Sequence, residues 1–145
     1  MSILERAERV LTGVGVPVIL RDATRLEVTP TDPAGFPVLL LLDGEHRAVY
    51  FDAWHDDDLE DDETALKLFL VGLTTKARLH VRARGMSRYR WRAEFRMGDA
   101  WRGHSTVTAL IFPIWRPRTN VILQNDLIST DALSGLFDQI MKGDE

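Results

Sequence analysis

A chain of 145 residues without cysteine can bury about 70% of its unfolded surface without covalent staples, and it excludes disulfides, thiolate metal sites and cysteine nucleophiles. Its hydrophobic share of 45% and charged share of 28% are those of an ordinary globular domain. The formal charge of −4 hides a sorting: residues 43–63 hold ten acids against one base, Arg47, a local sum of −9, and residues 64–118 hold twelve bases against two acids, Glu94 and Asp99, a local sum of +10.

In chain order, Ser2 with Glu5 three residues on is a capping box. It opens a short helix whose apolar stripe is Ile3, Leu4, Ala7, Val10 and Leu11, closed by Gly13 and Gly15. Val16 to Leu20 reads as a strand, and Leu26 with Val28 as a weaker one. Thr29 to Pro37, with three prolines and a glycine, is a loop. Val38 to Leu42, the Asp43-Gly44 dipeptide and Arg47 to Ala53 predict a hairpin. Its first arm, apolar on both faces, belongs in the middle of a sheet. A helix is expected from Asp58 to Leu73, its acidic first turns suiting the positive end of the dipole. Four strands follow, at Ala77–Arg84, Tyr89–Met97, Ser105–Phe112 and Thr119–Gln124. Thr130 or Asp131 caps a closing helix that runs to Met141.

These elements predict a single α+β domain over residues 1–145, with an antiparallel sheet of seven or eight strands and two to three helices. A helix followed by four antiparallel strands resembles the element order of cystatin-like and NTF2-like folds, and the resemblance implies a sheet curled around the central helix. The first residues, MSILERAERVL, do not read as a signal peptide. The longest apolar run, Phe36 to Leu42, falls far short of a membrane span. A cytoplasmic protein is therefore expected. Arginine supplies fifteen of the eighteen bases, a bias that a GC-rich bacterial genome gives as readily as a functional demand.

The richest candidate site is the hairpin around Gly85. Pairing Arg84 with Arg88 across a Gly85-Met86-Ser87 turn sets Ala83 opposite Tyr89, Val81 opposite Trp91 and Leu79 opposite Ala93. All hydrocarbon then falls on one face. The reverse face carries Arg78, His80, Arg82, Arg84, Arg88, Arg90, Arg92 and Glu94, with two arginine pairs directly opposed at Cβ separations of about 5 Å. Each such pair repels by about 1 kcal/mol in water and about 3 kcal/mol at an effective dielectric of 20. Three readings follow: a solvated face with splayed arginines, a face covered by the chain's own acidic segment through bidentate pairs, or a site for an anionic partner. Trp115, Arg116 and Arg118, in a proline-flanked turn, are read as the rim of the same surface.

Other chemistry is set aside. His55, Asp56 and Asp52 are the only metal candidates, and consecutive carboxylates at a helix start point in different directions, so no metal and no cofactor is expected. His104 and Ser105, adjacent on a strand, are expected to face opposite sides and not to form a nucleophile–base couple. Gly13-Val14-Gly15 precedes a strand, whereas a dinucleotide loop follows one. The leading functional expectation is a non-catalytic binding protein that meets a protein partner or a copy of itself through its segregated acidic and arginine-rich surfaces. One alternative is an enzyme or small-ligand binder acting on an anionic molecule in an arginine-lined cleft. Nucleic-acid binding ranks last, because Tyr89 and Trp91 are predicted to face away from the arginines.

Overall fold

The computed structural model describes residues 1–109 and 113–142. Ser2 accepts a hydrogen bond from the Glu5 N–H at 3.2 Å and starts α1 (Ile3–Gly13), whose buried stripe is Leu4, Ala7 and Leu11. Then β1 (Val18–Arg21), β2 (Arg25–Val28), β3 (Val38–Asp43), β4 (His46–Phe51) and β5 (Trp54–Asp56) form a five-stranded antiparallel sheet in chain order. Apolar at every position from Val38 to Leu42, β3 lies at its centre, as a strand with two hydrocarbon faces must.

After α2 (Asp62–Gly72), β6 (Ala77–Arg84), β7 (Ser87–Met97), β8 (Ala100–Thr108) and β9 (Arg118–Leu123) form a second antiparallel sheet of four strands in the order β8-β7-β6-β9. A 3₁₀ turn (Thr130–Ala132), capped by Ser129, leads into α3 (Leu133–Lys142). The fold is thus α+β, with nine strands among the described residues in two sheets rather than the single one expected. The break falls at α2, which separates β5 from β6 and packs on β3, β4, β6 and α3.

Three hairpins share one device. Gly44, Gly85 and Gly98 stand at φ +63°, +60° and +64°, each first in a two-residue turn between directly paired residues: Asp43 with His46, Arg84 with Ser87, Met97 with Ala100. The second turn residues, Glu45, Met86 and Asp99, are not left-handed. This is the type II′ pattern, which matches the twist of the flanking strands. The first turn is therefore Gly44-Glu45, not Asp43-Gly44. The Gly98-Asp99 turn starts β8 at Ala100, five residues before the expected strand; of that expectation, Leu110, Ile111 and Phe112 lie outside the described residues.

The expected helix start at Asp58 also moves. Asp61 caps α2 by accepting from the Thr64 N–H at 2.7 Å, so Asp58 and Glu60 precede the helix. An acid in a first turn is favoured by the dipole, but only the cap residue satisfies a free N–H.

One hydrophobic cluster runs through both sheets and all three helices, including Leu11, Leu40, Phe51, Trp54, Phe69, Leu79 and Ile140. Asn125, just after β9, is buried inside it. Its Oδ1 accepts from the Phe36 N–H at 2.9 Å, and its Nδ2 donates to the Phe36 carbonyl at 2.9 Å and the Gly72 carbonyl at 3.0 Å. One amide thus ties the loop before β3 to the end of α2.

A second tie joins the sheets. In the turn between β4 and β5, Asp52 takes a left-handed φ of 54°, the position that glycine fills in the other three hairpins. Its Oδ2 accepts from Trp91 Nε1 and Arg88 Nη1, both at 3.1 Å. Asp52→Ala and Asp52→Gly both remove this bridge, but only glycine is at ease at positive φ. Asp52→Ala is expected to be the less stable of the two by about 1 kcal/mol in urea denaturation. Equal midpoints would show that the backbone at this turn carries no strain.

Candidate anion-binding face

Register decides which arginines share a face. From Arg78 opposite Glu94 to Arg82 opposite Arg90 the pairing is the expected one, with Val81 opposite Trp91. A bulge then intervenes: Ala83 pairs with Arg88 and Arg84 with Ser87, leaving Tyr89 as the extra residue. Tyr89 stays buried and Trp91 half-buried, so hydrocarbon and guanidinium do separate. Arg88, however, is carried to the inner side with Ala83 and reaches Asp52. Its expected place on the outer face is thereby corrected, and the opposed pair Arg84–Arg88 does not exist.

The crossover of β9 supplies what the hairpin lacks. Because β9 pairs with β6 and not with β8, Asn120 lies opposite Arg82, and Arg118 opposite Arg84. The outer face is therefore a ladder of rows across the sheet. One row reads Thr108, Arg90, Arg82, Asn120, and the next Thr106, Arg92, His80, Ile122. His80, Val81, Arg82, Arg90, Arg92 and Asn120 line one groove of about 320 Å³. Arg92 lies over Gly103 of β8, where an added Cβ would collide with its guanidinium.

Charge on this face is balanced at one end only. Glu94 Oε1 accepts from Arg78 Nε at 2.9 Å, and His80 Nε2 lies 2.5 Å from the same oxygen without hydrogen-bond geometry, leaving that buried nitrogen unsatisfied. Arg78 also stacks on Trp101, 4.1 Å from the ring centre. One row further on, Arg82, Arg90 and Arg92 make no ion pair or hydrogen bond with any described side chain. The acidic segment lies elsewhere: Asp62 pairs with Arg47 at 2.7 Å, Asp56 faces His104 at 3.7 Å, and Asp57, Asp58, Glu60 and Glu63 are exposed. Among the described residues, none of residues 56–63 bonds to an outer-face arginine.

The tip of the β6–β7 hairpin is strapped to the loop before β9. Gly85 N–H donates to the Pro117 carbonyl at 3.1 Å, Arg84 Nη1 donates to the Arg116 carbonyl at 3.3 Å, and the Arg116 side chain packs over Gly85. Arg84 Nε is buried without a partner. Trp115 stands on this loop 78% exposed, with Ile114 beside it at 69%. Of the expected site residues, Arg82, Arg84, Arg90, Arg92 and Arg118 share one face by register, Arg116 packs on the hairpin tip, and Trp115 stands exposed on the same loop as Arg116. Asn120 was missed, since only the crossover makes it a neighbour of Arg82.

The metal candidates serve other contacts. Asp52 bridges the sheets, His55 stacks on Tyr50 at 5.4 Å between ring centres, and Asp56 faces His104. Among the described residues no three such groups converge. One exclusion needs correction: His104 Nδ1 lies 3.3 Å from Ser105 Oγ. A bulge opposite Ala93, between the Arg92–Thr106 and Glu94–Gly103 pairs, breaks the alternation that separates strand neighbours. Ser105 Oγ also accepts from Trp54 Nε1 at 3.0 Å, which ties β5 to β8.

Two carboxyls are held below their ordinary range, both away from this face. The Thr24 N–H, with the Arg25 side chain next, holds Asp22 at about 2. The Thr64 N–H and hydroxyl lower Asp61, the α2 cap. Among the described residues no helix is long and apolar enough to cross a membrane. Comparison with protein-family models, curated proteins and solved structures finds no match for this chain.

An indole this exposed has little packing to lose. Trp115→Ala is expected to stay within about 0.5 kcal/mol of the parent in chemical denaturation. A loss above about 2 kcal/mol would make Trp115 a core residue and remove it from the rim.

Proposed function

We propose that this chain is a non-catalytic binding protein whose outer β6–β9 face docks an acidic polypeptide. The observation that carries this reading is the cluster of Arg82, Arg90 and Arg92, which lacks any carboxylate partner among the described residues. The directly opposed pair Arg82–Arg90 repels unless an anion lies between. Guanidinium groups match carboxylates in bidentate geometry, and a broad sheet face suits a polypeptide surface better than a single small substrate.

An acidic polypeptide is favoured over nucleic acid on two grounds. The aromatic rings of the hairpin, Tyr89 and Trp91, pack inward, and the ring of Trp101 is already stacked with Arg78, which leaves the exposed Trp115 as the stacking surface on offer among the described residues. The exposed carboxylates of residues 57–63 set a negative pole on the same molecule, which works against a long polyanion. The cystatin-like or NTF2-like arrangement remains part of the proposal, supported by α2 packing on β3 and β4 of one sheet and on β6 of the other.

Poly-glutamate tests the reading by calorimetry. Saturable binding that weakens steeply with salt is expected. The Arg82→Gln/Arg90→Gln variant should lose about tenfold per arginine, about 1.4 kcal/mol each. Undiminished binding by that variant, or tighter binding of a single-stranded oligonucleotide than of poly-glutamate, would reject it.

A further inference from the structure

We infer that the groove between Arg82, Arg90, Arg92 and Asn120 is a seat for a phosphomonoester dianion carried by the docked polypeptide. This rests on the docking reading above and names the group that the face selects.

Local charge counting points to a dianion. Three arginines line one groove of about 320 Å³, and Glu94 is already engaged by Arg78 and approached by His80. A single carboxylate brings one negative charge, too few for the opposed pair Arg82–Arg90 with Arg92 diagonal to it. A phosphoryl group brings −1.5 to −2 and three strong acceptor oxygens.

The donor geometry agrees. A tetrahedral oxyanion needs donors from several sides, and the groove draws them from three strands: Arg90 and Arg92 on β7, Arg82 on β6, Asn120 on β9. Thr106 and Thr108 on β8 continue the same two rows with hydroxyls. No acid occupies either row. The Arg92 guanidinium lies over Gly103 of β8, so it stands on the β8 side of the groove, across β7 from Arg82 and Asn120. A cationic face built for bulk attraction alone would not need a glycine beneath one arginine, an amide at the end of the row and a clamp of directly paired guanidinium groups.

The test uses the whole protein, with a phosphoserine peptide, its unphosphorylated form, inorganic phosphate and poly-glutamate as probes, at fixed ionic strength. NMR of the arginine Nε–H and Asn120 side-chain signals is the readout. Saturable shifts at Arg82, Arg90 and Asn120 are expected with the phosphopeptide, at least tenfold tighter than with its unphosphorylated form. The affinity should rise between pH 5 and pH 7, as the second phosphate proton leaves near pH 6. Arg90→Gln should weaken the phosphopeptide at least tenfold, and Arg96→Gln, the same charge change on an exposed side chain, less than twofold. Equal weakening by both variants would show diffuse attraction and overturn the seat. Inorganic phosphate binding as tightly as the phosphopeptide would assign the seat to free phosphate and overturn the polypeptide source. Binding of poly-glutamate without a preference for phosphate keeps the docking reading and ends this inference, and failure of every probe ends both.

Discussion

A single extra residue in β7 governs how this molecule presents its charge. In an unbroken ladder, side chains alternate strictly, so Arg88, Arg90 and Arg92 would share the outer face and Tyr89 and Trp91 the inner one. The bulge at Tyr89 keeps both aromatic rings inside and sends Arg88 inward as well. That guanidinium then finds Asp52, whose carboxylate also holds the Trp91 indole. The sheets are thus joined through a residue that would otherwise have added to the repulsion outside. The outer face keeps Arg82 against Arg90 as its one directly opposed cationic pair between β6 and β7.

The two charged segments are neighbours in sequence, and among the described residues their opposite charges meet at Asp52–Arg88 and Asp56–His104. The chain leaves β5, runs through the exposed acids and enters α2, which packs on β3, β4 and β6 from the core side. The guanidinium face looks the other way. Arg47 pairs with Asp62 within the acidic segment, and Glu94 with Arg78 within the basic one. Apart from the Asp52–Arg88 bridge and the Asp56–His104 contact, each segment pairs its few opposite charges within itself. Surface pairs of this kind contribute little to stability. Core burial through Phe51, Trp54, Phe69 and Leu79 and the buried amide of Asn125 hold the fold instead.

Much of this was legible in the sequence, and what was not has physical causes. The Ser2 cap, the central position of β3 and the hairpin register from Leu79 to Arg82 follow from local pattern alone. The first turn was misplaced by one residue because a glycine first in a two-residue turn and an Asp-Gly pair look alike from outside, and the Gly85 turn was read one residue too long. The bulges at Tyr89 and at His104-Ser105 leave no signature in alternation, and they decided the side of Arg88 and the meeting of His104 with Ser105. The pairing of β9 with β6 rather than β8 is a long-range choice that no periodicity encodes. Asn120 was therefore invisible as a site residue, although its own strand was read correctly to within one position at each end.

That crossover has a consequence for how the chain reaches its final shape. The β6–β7 and β7–β8 ribbons close through two-residue turns, so they can assemble from near neighbours, and such local pairing is fast. β9 must return across some forty residues to lie against β6. Until it arrives, β6 is an open border rich in Leu79, Val81 and unpaired amides, the kind of surface that recruits strands from other chains. The last strand to dock is in this sense a guard against aggregation, and the arginines along β6 reinforce it by keeping approaching copies apart.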